Sequence, residues 1–93
     1  MILEIVSPEA TLFQGEVTSV TLPGEIGSFQ ILNNHAPIVS TLKQGTVKIV
    51  APNFKLNKEV ASKFNTLSNS IFTLEIASGT IEMRDNKIIV LAD

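Results

Sequence analysis

Apolar and polar residues alternate with a period of two through most of this chain. That period puts successive side chains on opposite faces of an extended strand, so the pattern calls for sheets with one buried face. Residues 2–6 set Leu3 and Ile5 against Ile2, Glu4 and Val6, and residues 16–22 align Thr18, Val20 and Leu22. Residues 28–32 alternate Phe29 and Ile31 with Ser28 and Gln30; residues 46–51 set Val47, Ile49 and Ala51 against Thr46, Lys48 and Val50. Residues 71–77 direct Phe72, Leu74 and Ile76 inward. Residues 80–84 and 87–92 flank Asp85-Asn86, two residue types that tolerate the positive φ of a two-residue hairpin loop.

Turn residues punctuate these runs. Pro8, Gln14-Gly15, Pro23-Gly24, Lys43-Gln44-Gly45 and Ser78-Gly79 mark predicted breaks, with a short strand at 10–13 before the second. Asn33-Asn34-His35-Ala36-Pro37 cannot continue a central strand, because Pro37 has no N–H. Residues 37–42 read as an apolar connector. Residues 52–70 hold many breakers; within them Val60 and Phe64 fit one or two helical turns or an alternating strand over 58–64, and the strand is preferred. The expected fold is all-β, a two-layer β-sandwich or flattened barrel of eight to ten short strands. Ninety-three residues allow one domain, spanning 1–93.

Composition narrows the chemistry. There is no Cys, Trp or Tyr and a single His, which leaves no thiol chemistry and few catalytic groups. His35 has no triad-like pattern beside Ser28 or Ser40, and its expected role is to brace a turn or meet a partner. The carboxylates show no metal-ligand spacing, and Gly24 and Gly27 make no phosphate-binding loop. No catalytic residue, metal or cofactor is expected. A net charge of −2, with lysines scattered singly, argues against nucleic acid. The N-terminus has neither signal-peptide nor transit-peptide character and no apolar run approaches a membrane span, so the reading is a soluble protein retained where it is made. A non-catalytic sandwich of this kind presents loops or edges to another protein.

Residues 20–40 combine a strand, an acidic Gly-flanked loop, an aliphatic strand and a His-Ala-Pro turn. This order resembles the epsilon subunit of F-type ATP synthases, the delta subunit of mitochondria. Ile5-Val6-Ser7-Pro8-Glu9, Leu12-Phe13-Gln14-Gly15-Glu16-Val17, the run from Leu42 to Ile49 and the closing segment from Ser78 to Asp93 match in the same order, covering about 75 of the 93 residues. The resemblance implies a ten-stranded sandwich at the foot of the rotor's central stalk, coupling the gamma shaft to the c ring during proton-driven ATP synthesis. By the same resemblance Ser7, His35 and Ser40 would face gamma, and the loop Glu25, Ile26, Gly27, Ser28 would face the ring. Family members often have an acidic residue where this chain has Ser28, and Glu25 lies nearby.

The family usually continues into an inhibitory two-helix C-terminal hairpin, whereas this sequence stops at Asp93; no such hairpin, inhibition or ATP site is expected. Residues 52–70 exceed the usual connection, and Ser78-Gly79-Thr80 stands for the usual Ser-Gly-Gly. The implied place is peripheral to the membrane through its partners, on the cytoplasmic face of a bacterial plasma membrane, with a plastid-encoded origin as the other option. A free-standing ligand-binding sandwich is the alternative reading; the lack of Trp and Tyr counts against it.

Overall fold

The computed structural model describes residues 1–93. Ten strands follow in order: β1 (Ile2–Val6), β2 (Thr11–Glu16), β3 (Ser19–Gly24), β4 (Gly27–Leu32), β5 (Ile38–Leu42), β6 (Gly45–Val50), β7 (Phe64–Thr66), β8 (Ile71–Ile76), β9 (Gly79–Arg84) and β10 (Lys87–Ala92). A single 3-10 turn, Ala61–Lys63, precedes β7. The pairing order β2-β1-β10-β9-β5 makes one layer, and β4-β3-β6-β8-β7 makes the other. They join at one corner, where Gly24 of β3 pairs with Leu42 of β5. Only β1 and β10 run parallel.

Most inward residues are those that alternation selects; the predicted strand 16–22 is instead split at Val17-Thr18, between β2 and β3, which leaves Thr18 exposed rather than aligned with Val20 and Leu22. Leu3, Ile5, Val20, Leu22, Ile31, Val47, Ile49, Ala51, Ile88 and Val90 are wholly buried, and Phe72, Leu74 and Ile76 nearly so. Branched aliphatics suit the pleated inner faces, and their burial between the layers is the main stabilising term. The accessible surface is 5517 Å², close to the roughly 5,300 Å² expected of a compact chain of this mass. Asp85 and Asn86 take φ of 52° and 59°, the geometry of a primed hairpin turn between β9 and β10.

Four further expectations are corrected. Gln14-Gly15 is no turn: β2 runs through it, Gly15 pairing with Leu3, and the absent Cβ leaves room for the Phe54 ring. Pro23-Gly24 belongs to β3, and the turn falls two residues later at Glu25-Ile26. Proline is tolerated there because its carbonyl accepts Lys43 N–H at 2.9 Å, away from β4, so no ladder bond to β4 is missed. Residues 38–42 are a strand, β5, paired along its length with β9, so most of the predicted connector is sheet. Its mixed apolar and hydroxyl residues hide the alternation that Ile38, Ser40 and Leu42 share. Residues 58–64 are not a strand: turns and the 3-10 helix lead into β7, with buried Val60 and Phe64 flanking the helix on either side.

Candidate functional site

The β3–β4 hairpin projects the loop Glu25-Ile26 from one end of the sandwich. Gly24 and Gly27 close it, and Gly27 takes φ of 139°, a conformation that favours glycine. Ile26 is as exposed as in an open chain, at 104%. An isoleucine held out in this way buries nothing within its own domain. Glu25 is exposed beside it, its Oε1 3.5 Å from Thr41 Oγ1 on β5. Ser28 is the second residue of the edge strand β4.

At the opposite end, Asn33-Asn34 turns the chain back, with Asn34 at φ 61°. Asn86 of the β9–β10 turn clamps this corner. Its Oδ1 accepts Asn34 N–H at 2.8 Å and its Nδ2 donates to Asn33 Oδ1 at 3.1 Å. His35 follows, exposed, with Nδ1 2.7 Å from the Ala36 carbonyl. A carbonyl only accepts, so Nδ1 carries the proton and Nε2 is left to solvent or a partner. Sequence reasoning missed Asn86 as the brace of this turn; it lies 52 residues from Asn34, and nothing local signals the pairing.

Ser40 is half-buried on β5, on the same parity as Ile38 and Leu42, with its Oγ donating to the Thr41 carbonyl at 3.2 Å. Ser7 caps the turn after β1, bonding Glu9 and Ala10. It lines an open groove of about 610 Å³ with Thr41, Ser78, Leu91 and Asp93. The structure therefore brings Ser7 and the Ser40–Thr41 segment to the end that carries Glu25, and leaves His35 at the other end. With strands of five or six residues, the separation is roughly 17–20 Å. The three residues expected to face gamma do not form one cluster; His35 and Ser40 share the open side between β4 and β5, and Ser7 stands across the first layer. No three acidic or histidine side chains gather as metal ligands.

Comparison with known proteins gives this geometry its context. The profile of the family described as "ATP synthase, Delta/Epsilon chain, beta-sandwich domain" matches residues 1–93. The chain is 36% identical over 91 residues to the ATP synthase epsilon chain of Leptospira borgpetersenii, covering 98% of this chain and 59% of that protein. It is 35% identical over 91 residues to that of Chlorobaculum tepidum, covering 98% and 86% respectively. With the Nitratiruptor epsilon chain it shares 53% identity over 53 residues, 57% of this chain and 41% of that one. The chain thus spans about half the length of several curated relatives that it matches. Its fold is similar to a chain of the Euglena gracilis mitochondrial ATP synthase (OSCP/F1/c-ring), with a TM-score of 0.73 at 16% identity, covering 99% of this chain and 49% of that one. A chain of the Tetrahymena thermophila mitochondrial enzyme's central stalk/c-ring structure gives a TM-score of 0.67 at 16% identity, covering 98% and 61%. A whole-length profile match together with whole-chain relatives above 30% identity shows that this chain belongs to the ATP synthase delta/epsilon family, as its β-sandwich domain.

Proposed function

We propose that this chain is a central-stalk rotor subunit of an F-type ATP synthase. It couples the gamma shaft to the c ring and performs no catalysis itself. The observation that carries the reading is the Glu25-Ile26 tip: an acidic and a fully exposed aliphatic side chain held out on a rigid hairpin, in a chain whose relatives are epsilon chains. The tip would meet the c ring through Glu25, Ile26, Gly27 and Ser28. The gamma subunit would lie along the side that carries His35 and Ser40, with Ser7 at its margin. Stable interfaces take about 800 Å² from each partner, a modest share of the 5517 Å² that this domain offers. The chain would be peripheral to the membrane through these partners, on the cytoplasmic face of a bacterial plasma membrane.

The test is direct mixing. The chain and a purified gamma subunit from the same organism are expected to co-elute as a complex. A bifunctional reagent attached at Ile26→Cys in the assembled enzyme is expected to reach a c subunit. No complex with gamma, or cross-links confined to the catalytic head, would overturn the reading.

A further inference from the structure

Three strands in this sandwich have a partner on one side only along their full length: β2, β7 and β4. An unpaired edge is a template for another strand, and folded proteins usually blunt it. β7 is three residues long. The β1–β2 ladder shifts register at Ile5/Val6, and the Phe54 ring packs over Gly15 of β2. β4 shows none of these devices. It is six residues long, contains no charge and no proline, and keeps regular register from Ser19↔Leu32 to Gly24↔Gly27.

The direction of its free backbone groups follows from Pro23. Proline has no N–H, and the Pro23 carbonyl is taken by Lys43, so the Pro23↔Ser28 pair exchanges no hydrogen bond. Bonded and non-bonded pairs alternate in an antiparallel ladder, which puts Gly27, Phe29 and Ile31 in the bonded pairs. The N–H and C=O groups of Ser28 and Gln30 therefore point outward. Leu32 points the same way, and its carbonyl already accepts His35 N–H at 3.2 Å. β5, the neighbouring strand of the other layer, is pinned at Leu42 against β3, whereas β4 is open from end to end.

We propose that β4 receives a strand from the gamma subunit, which extends the second layer by main-chain hydrogen bonds to Ser28 and Gln30. The inference rests on the rotor reading above and adds the mode of contact. An occupant of about six extended residues fits the edge. Its matching segment is uncharged, because an ionic side chain opposite Phe29 and Ile31 would meet nothing of opposite sign. One such strand would run along β4 from Ser28 toward the His35 turn, on the side where the gamma contact is proposed.

The experiment is amide hydrogen exchange on this chain, alone and saturated with purified gamma subunit. In the free chain Phe29 and Ile31 are expected to be protected and Ser28 and Gln30 to exchange freely. In the complex Ser28 and Gln30 are expected to slow by at least about tenfold. A companion variant, Gln30→Pro, removes an outward N–H without touching the ladder to β3; it is expected to weaken the complex by about tenfold, with Gln30→Ala within about twofold of the parent. A gamma complex that leaves both amides unprotected, or that protects Val39 and Thr41 of β5 in their place, overturns strand addition and leaves the rotor reading standing. Protection of Ser28 and Gln30 in the chain alone at high concentration makes a second copy the occupant and also overturns it. Absence of any gamma complex removes both readings.

Discussion

The two open sides of the sandwich are finished differently. On one, β2 of the first layer and β7–β8 of the second are bridged by the segment that follows β6. Phe54 stacks on Phe13 with ring centroids 4.3 Å apart and meets Phe72 edge-on at 6.2 Å, while Phe64 lies 6.3 Å from Phe13. Leu56 packs beneath and Val60 is buried. On the other side, β4 and β5 contribute buried Ile31 and Leu42 but only half-buried Phe29 and Ile38, and no phenylalanine cluster bridges the two strands. Four of the five phenylalanines thus seal one side, and the other side keeps a bare strand edge. A chain this short needs its apolar surface for its own core; leaving one seam uncovered makes sense where a partner covers it.

Stability measurements can break that contrast. The largest loss is expected from Phe13→Ala, which empties the centre of the sealed side: about 3–5 kcal/mol by urea unfolding, since Phe13 is 3% exposed. Phe54→Ala, from a half-buried position, is expected to cost about 2 kcal/mol, including the aromatic stacking. Phe29→Ala on the open side should cost about 1 kcal/mol. If Phe29→Ala proves as costly as Phe54→Ala, the two sides are equally closed and the contrast fails. Gly15→Ala sharpens it. The new Cβ would lie 2.5 Å from a Phe54 ring carbon, costing about 1–2 kcal/mol by overpacking. Most of that loss should vanish in a Phe54→Ala background, because the two positions share one contact.

The sealed side is where the sequence was least legible. Period two located the inward face wherever one face is polar, as at 46–51 and 71–77, and Asp85-Asn86 announced its own hairpin. Gly15 read as a turn because a small residue is favoured both by a reversal and by an approaching ring, and only the Phe54 contact 39 residues away distinguishes them. Pro23 misled for a similar reason: the harm a proline does to a strand depends on which neighbour its missing N–H faces, and that is set by β4 and β5. At 37–42 the pattern was masked because outward Val39 is as apolar as inward Ile38. Of the candidate contact residues, Glu25, Ile26, Gly27 and Ser28 are all exposed. The separation of Ser7 from His35 by the length of the strands was not visible, because it follows from β1 and β5 meeting their turns at opposite ends of the layer.

The smallest expected effect on stability belongs to the most exposed residue and is the most direct test of what the open end is for. Ile26→Asp removes a side chain that touches nothing in the fold and leaves the Gly24–Gly27 closure of the loop intact. Its unfolding free energy should stay within about 0.5 kcal/mol of the parent, as for surface changes generally. If the tip is seated on a partner, the substitution buries an unpaired carboxylate beside Glu25 at the contact. ATP synthesis by proteoliposomes reconstituted with the variant should then fall, while its affinity for isolated gamma, if gamma binds along the β4–β5 side as proposed, stays unchanged. Equal loss of both would place Ile26 at the gamma contact and erase the division between the hairpin end and the open seam.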